Sequence, residues 1–292
     1  MRIFSKHNFF PLGLSFLGFF LSFMGCKVVT PVVNPNEVPS QNLLPYTAAF
    51  KTLQSVLESA ESGTSYIAGA FSGNVRKCQT SYDCTSPSSP FMQTSYEGCD
   101  LGAGLILNGL VKMTFSSSAA CLAHLSKSPM PTGTILNRTI SAFKRTEGEL
   151  SVEVAPKGPS SAAVTGSGFS ISLNQVKRTH SSGEIFTVES PIGQSILVSG
   201  SLAKGSRVVR QGSVLVGDFL NQEKFNLSLS GLRWGNMGCC YPSSGTVAAE
   251  ISNDVGESFS ELLTFSGDTC GAVSFESRDG LSQKFLLDSA CE

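Results

Sequence analysis

Cysteine is the residue type whose number and spacing predict the clearest chemistry in this chain. There are nine cysteines, and one of them, Cys26, closes the N-terminal apolar run described below. The other eight lie in two groups of four: Cys78, Cys84, Cys99 and Cys121, then Cys239, Cys240, Cys270 and Cys291. An even number of cysteines is what a disulfide framework requires in an exported protein.

We expect each group of cysteines to pair internally. The predicted pairs are Cys99 with Cys121, Cys78 with Cys84, and Cys270 with Cys239 or Cys240, with Cys291 taking whichever of those two remains. Zinc is the other common use of clustered cysteines. No Cys-x-x-Cys pair occurs, and only two histidines follow residue 25. We therefore expect no metal site.

Candidates for catalysis are few. His124 and His180 are the only histidines after residue 25 that could act as a general base, and the polar sequence RTHSSGE predicts that His180 lies in an exposed loop. No Gly-x-Ser-x-Gly pentapeptide marks a serine nucleophile. Glu147, Glu149 and Glu153 could supply paired carboxylates, but such a cluster is typical of a solvated surface. We expect no catalytic residue and no cofactor.

Trp234 is the only tryptophan in the chain and lies close to two cysteines in the sequence GLRWGNMGCC. Tryptophan is over-represented at recognition sites, so Trp234 is a candidate binding platform. The alternative is a core residue packed over a disulfide.

The first 26 residues have the layout of an export signal. Arg2 and Lys6 precede an apolar run, residues 9–24, that has no ionisable side chain. This run is shorter than the roughly 20 apolar residues of a spanning helix. The sequence LSFMGC at 21–26 resembles the lipobox of bacterial lipoprotein precursors. The resemblance implies that residues 1–25 are removed and that Cys26 is lipidated.

The lipobox resemblance also implies a location. Lys27 follows the cysteine where an aspartate would favour retention in the inner membrane, so we expect attachment to the outer membrane of the cell envelope. Two or more acyl chains hold a protein stably to a bilayer. The alternative is an ordinary cleaved signal peptide, with Cys26 in a disulfide or free.

Residues 26–45 read as a tether, because they contain four prolines and no glycine. Without residues 1–25 the chain has 21 − 2 = 19 basic and 22 acidic residues. This balance, without any basic run, gives no indication of a nucleic-acid partner. The expected partners are a membrane, through the lipid anchor, and an unknown protein, glycan or lipid.

The folded part, residues 46–292, shows two hydrophobic periods. Residues 46–60 place apolar side chains at the spacing of one helical face, which predicts an amphipathic helix with a core-facing stripe. Later segments alternate, as in Phe225, Leu227 and Leu229, which predicts half-buried strands. Glycines such as Gly109 and Gly245 precede several alternating segments and suit bulges or bends.

We therefore expect a mainly β protein of ten to fourteen antiparallel strands. The sheet would be curled into an open barrel or a sandwich, braced by disulfides, with one N-terminal helix on a sheet face or across an open end. One domain is preferred, although the polar segment 146–162 could mark a subdivision.

The body of the chain has a weaker resemblance. The sequences GCDLGAGLILNGLVKMTFSSSAAC at 98–121, NMGCCYPSSGTV at 236–247 and LTFSGDTCGAVSF at 263–275 resemble parts of uncharacterised bacterial envelope lipoproteins. That group implies an architecture and a location but no activity. The leading hypothesis is thus a non-enzymatic binding or structural module of the envelope. The alternatives are a carrier of a hydrophobic ligand and a secreted hydrolase with no recognisable motif.

Overall fold

Two helices and sixteen strands account for most of the residues that the structure describes. The structure, a computed structural model, describes residues 43–60, 78–100, 104–200, 204–234, 241–267 and 269–287, all within one compact unit, Ser40–Glu292. The expected signal peptide (residues 1–25), Cys26, Cys239, Cys240 and Cys291 lie outside these ranges. None of the helices in the described ranges is long and apolar enough to cross a membrane.

The helices are α1 (Leu44–Ala60) and α2 (Ser118–Leu125), with a short 3-10 helix at Lys204–Ser206. The strands are β1 (Cys78–Asp83), β2 (Phe91–Asp100), β3 (Leu105–Phe115), β4 (Ile135–Glu147), β5 (Leu150–Pro156), β6 (Ser160–Thr165), β7 (Gly168–Ser172), β8 (Val176–His180), β9 (Ile185–Glu189), β10 (Ile196–Ser199), β11 (Val208–Asp218), β12 (Glu223–Arg233), β13 (Ser244–Asn253), β14 (Ser258–Ser266), β15 (Ala272–Glu276) and β16 (Ser282–Leu286). The expected mainly antiparallel β fold is confirmed.

The alternating segments form strands in the register that their apolar positions require. On β12, Phe225, Leu227 and Leu229 are buried, and they stand opposite Ile251, Ala249 and Val247 of β13. Because side chains alternate across a sheet, both strands turn their apolar residues to the same face.

The sheet is a simple up-and-down meander whose middle strands are broken. β5 and β6 both pair with β4, at its C-terminal and N-terminal halves respectively. One branch then runs from β5 through β8 and β9 to β11. The other runs from β6 through β7 and β10 to β11. Each of the pairs β5 and β6, β7 and β8, and β9 and β10 is one long strand with a bend, so the sixteen strands form thirteen rows. The expected count did not allow for these breaks.

The bend also falls on β4, where a glycine on the neighbouring strand allows close approach. Gly109 lies at a register shift between β3 and β4 and has a φ of 111°. A Cβ placed on it would be 2.6 Å from the carbonyl oxygen of Ala142. Only glycine fits such a contact, as expected for a glycine at a bulge.

Helix α1 explains why the sheet curls. Its Ser59 Oγ accepts a hydrogen bond from Arg138 Nε of β4 at 2.8 Å, and the ring of Tyr46 packs against Phe275 of β15. Eight row spacings separate β4 from β15, about 38 Å if the sheet were flat, whereas Tyr46 and Ser59 are only about 20 Å apart along the helix axis. The sheet must therefore wrap around α1 to contact it from both sides.

The wrapped sheet also buries polar side chains of α1 that lie outside the apolar stripe, whereas Lys51 and Glu58 are only half-buried. Thr52, Gln54 and Ser59 are buried along with the apolar stripe. The Thr52 hydroxyl donates to the Ala48 carbonyl, and Arg207 donates to the Gln54 side-chain oxygen at 3.1 Å. The predicted helix is confirmed, but the sequence indicated burial of one face only.

The disulfides in the first group are Cys78–Cys99 and Cys84–Cys121. Internal pairing of this group is confirmed, whereas the predicted pairs Cys78–Cys84 and Cys99–Cys121 are wrong. Cys78 is the first residue of the six-residue strand β1 and Cys84 follows its last, which places them about 20 Å apart, too far for a disulfide. Cys270 is also disulfide-bonded, and its partner lies outside the described residues.

Cys121 belongs to α2, a helix that the sequence analysis did not predict. Ser117 caps its N-terminus by accepting a hydrogen bond from the Ala120 amide. The helix has only eight residues, which is too short for a helical period to stand out from its surroundings.

Candidate functional site

Two depressions on the described surface are candidates for binding. The first is an inner cleft between α1 and the rows β2, β3, β4, β5 and β8. Its lining is mostly apolar: Val56, Met92, Tyr96, Val111, Met113, Ile140, Phe143, Val154, Pro156 and Val176, with Thr52, Ser55, Ser59, Thr94, Ser160, Arg138 and Arg178 as its polar members. The lining holds two arginines and no acidic residue, so it suits an amphipathic anion.

The inner cleft is narrow. Its volume is about 40 Å³, whereas small-molecule pockets measure roughly 300–1,000 Å³. Arg138 is held against the helix by its hydrogen bond to Ser59. An acyl chain would enter only if α1 moved away from the sheet.

The second depression is an outer groove on the face of the sheet opposite α1. It has a volume of about 1,040 Å³ and runs across β9, β11, β12, β13 and β14. Its floor consists of the outward members of these strands, among them Thr187, Glu189, Asn226 and Glu250. These side chains point away from α1 because their neighbours Val188, Phe225 and Ile251 are buried in the core.

The charged side chains of the outer groove are predominantly acidic, and apolar side chains such as Phe219 and Phe259 also line it. Glu189, Glu250 and Asp254 line it, with Lys224 as its only basic residue. Gln175 Nε2 donates to Glu189 Oε1 at 3.2 Å, which fixes that carboxylate. The side-chain oxygen of Asn226 is buried and has no hydrogen-bond partner. The groove therefore offers acceptors to a neutral or cationic ligand.

No family model, curated protein or solved structure matches this chain. Any assignment of function therefore depends on the arrangement of its own residues.

The two histidines occupy different environments, and neither lies in an exposed loop. His124 is 0% exposed, packs against Phe115, and has no hydrogen-bond partner on either ring nitrogen. Burial lowers its pKa to about 4. A side chain this enclosed cannot reach a substrate, so His124 is a core residue.

His180 ends β8, so its expected place in an exposed loop is wrong: the polar sequence around it forms a strand end and a tight turn. It lines a shallow pocket of about 240 Å³ with Lys51, Ser182 and Glu184. Burial, together with Arg178, lowers its pKa to about 4, although Glu184 opposes the shift. Its buried Nε2 has no hydrogen-bond partner, and Ser182 donates to Glu184 instead. The serine–histidine contact of a hydrolase is not formed there.

The carboxylates near β4 and β5 are solvated, as expected. Glu147 accepts from Arg145 at 2.8 Å, Glu153 is 3.5 Å from Lys144 Nζ, and Glu149 is exposed in the turn between the strands. The Lys144–Glu153 contact is a surface ion pair, which contributes little to stability, whereas Arg145 is buried and only its partner Glu147 is exposed.

Trp234 is 2% exposed and belongs to the main core. The guanidinium of Arg207 lies 5.1 Å from its ring centroid. This placement fits the core alternative, because a ligand has no access to the ring.

The sequence analysis did not identify the outer groove. Its floor residues lie on five separate strands, and each one looks like an ordinary solvated strand position. In the described residues, moreover, no group of three or more metal-ligating side chains stands out. Only the register of the sheet brings the groove residues together.

Proposed function

We propose that the protein is a binding module of the bacterial cell envelope, lipidated at Cys26 and attached to the outer membrane, that holds a polar partner in the outer groove. The observation that carries this proposal is the size of the groove, about 1,040 Å³, and its acceptor-rich floor. The lipobox resemblance at residues 21–26 supports the attachment. If the protein instead has a structural role, it would contact its partner through the same groove.

The charge of the groove defines the partner's chemistry. Asn226 and Glu250 lie side by side in sheet register on β12 and β13, so an amide and a carboxylate act together. A glycan strand that carries hydroxyl, amide or amino groups can donate hydrogen bonds to both. A polyanion is disfavoured because Glu189 and Asp254 flank the same floor.

Titration calorimetry with N-acetylglucosamine oligosaccharides of increasing length tests this proposal on the intact protein. We expect affinity to rise with length until the groove is filled, and Asn226→Ala and Glu250→Gln to weaken binding about tenfold each, as expected for a lost hydrogen bond to a buried or charged group. Glu276→Gln is the matched control, because this exposed glutamate on β15 lies outside the groove. No binding, or binding that Asn226→Ala and Glu250→Gln leave unchanged, would refute the groove as a glycan site.

A second function, transport of an amphipathic anion, is favoured by one observation. The inner cleft combines an apolar lining with Arg138 and Arg178. Because the cleft is so narrow, this function requires displacement of α1. Native mass spectrometry of the protein isolated from membranes would then show a bound lipid, and its absence would count against this function.

A further inference from the structure

Three successive hairpins present apolar side chains at their tips, where polar turn residues are the rule. Phe219 and Leu220 form the β11–β12 turn and are 60% and 66% exposed. Val255 in the β13–β14 turn is 81% exposed, and Leu281 in the β15–β16 turn is 60% exposed. Each of these side chains remains in water at an energetic cost that contact with an apolar phase would remove.

The meander places these three tips along one rim. Alternate turns of an up-and-down sheet lie at the same edge, so the tips follow one another at about 10 Å intervals, or two strand spacings. The N-terminus of α1 reaches the same rim, because Pro45 lines a small cavity with Asn221 and Arg278 from two of the turns. Leu43, the first described residue, is 43 − 26 = 17 residues from Cys26, a reach of at most about 60 Å.

The charges around the tips restrict the kind of surface that they fit. Asp254, Glu257 and Asp279 are exposed within the second and third turns, and Arg278 is the basic residue there. An anionic surface would repel this rim, whereas a zwitterionic one would not.

We propose that the rim formed by Phe219, Leu220, Val255 and Leu281 is a membrane-docking surface that inserts into the interface of a zwitterionic phospholipid bilayer. The rim would orient the domain with its hairpin tips on the bilayer, and the end of the outer groove that Phe219 and Asp254 line would lie next to the bilayer surface. The proposal rests in part on the proposed membrane attachment, since the anchor would hold the rim near the lipid.

Fluorescence quenching by lipids tests the rim in the full chain. The lipidated protein is reconstituted in phosphatidylcholine vesicles that contain a lipid with a quencher near the headgroup. In a Leu220→Trp variant the new indole should lie about 5–10 Å into the interface, so its emission should fall about twofold. The Trp234 of the wild-type chain, which is buried, supplies the unquenched baseline.

Leu122→Trp is the matched control. Leu122 lies on α2, which follows β3 at the edge of the sheet opposite the rim. Its side chain is similarly exposed, at 56%. We expect no quenching of this variant, and no gain in quenching of Leu220→Trp when phosphatidylglycerol is added. Equal quenching of the two variants, or none of either, would overturn the proposal, as would stronger quenching with anionic lipid.

Vesicle flotation separates failure of the rim from failure of the anchor. If Cys26→Ser abolishes flotation while Leu220→Trp is unquenched in the otherwise wild-type chain, lipid attachment at Cys26 is supported and the rim proposal is wrong. If Cys26→Ser floats as well as the wild type and Leu220→Trp is quenched, membrane insertion of the rim is supported and lipid attachment at Cys26 is wrong.

Discussion

Acid should destabilise this protein through His124, a fully buried titratable group in the described core. The ring is surrounded by Phe115 and the apolar cluster around the Cys84–Cys121 disulfide. Burial lowers its pKa from 6.5 to about 4. Because the folded pKa is the lower one, the stabilisation is complete above pH 6.5 and is lost as the pH falls towards 4.

The size of the effect follows from this shift. A difference of about 2.5 pKa units corresponds to about 3 kcal/mol in total, of which about 2 kcal/mol is lost between pH 7.5 and pH 5. Urea unfolding at these two pH values, with the disulfides intact, measures the loss directly. In a His124→Leu variant the pH-dependent loss should be about 2 kcal/mol smaller than in the wild type, because leucine does not titrate.

The comparison of the two proteins isolates His124 from other groups. Burial raises the pKa of Glu261, so Glu261 contributes stability at low pH that is lost as the pH rises above its unfolded value of 4.5. That opposing contribution is present in both proteins and cancels. If His124→Leu and the wild type lose the same free energy of unfolding between pH 7.5 and pH 5, the reasoning is refuted; His124→Gln provides a second test should the leucine variant fold poorly.

Two further changes test how α1 and the first disulfide group stabilise the fold. Tyr46 donates a 2.7 Å hydrogen bond to the buried carboxylate of Glu261. Tyr46→Phe should therefore lower the free energy of unfolding by about 2 kcal/mol at pH 7.5, and by less at pH 4, where Glu261 is protonated. An equal loss at both pH values in urea titrations would contradict this. Replacing Cys84 and Cys121 together by alanine opens a loop with a sequence separation of 37 residues and should cost about 4 kcal/mol; peptide mapping of the wild type that found either cysteine bonded elsewhere would contradict the assignment.

Periodicity predicted the elements well where one face of a strand or helix is buried and the other is wet. Phe225, Leu227 and Leu229 of β12 are an example, because their alternation alone determines which face meets the core. The same reasoning could not show the bends at residues 157–159, 173–175 and 190–195. There the chain keeps its direction while its partner strand continues, so the pattern of apolar residues changes little.

The disulfide connectivity was beyond the sequence for a related reason. The prediction paired cysteines that are close in the chain, Cys78 with Cys84, but a strand of six residues separates them by its whole length. Cys78 instead bonds to Cys99 because β1 and β2 are antiparallel and Cys78 stands opposite Tyr96 near the end of β2. Sheet register decides such contacts, and register depends on pairing partners that a single sequence does not state.

The burial of most of α1 connects the fold with the two candidate sites. A helix would normally expose polar side chains such as Thr52, Gln54 and Ser59 to water. Here arginines donate to two of them: Arg138 of β4 to Ser59, and Arg207, which precedes β11, to Gln54. These hydrogen bonds hold α1 inside the curled sheet and keep the inner cleft narrow. A ligand of the inner cleft would have to break them, whereas a ligand of the outer groove would leave α1 in place, which is why the groove is the better binding site.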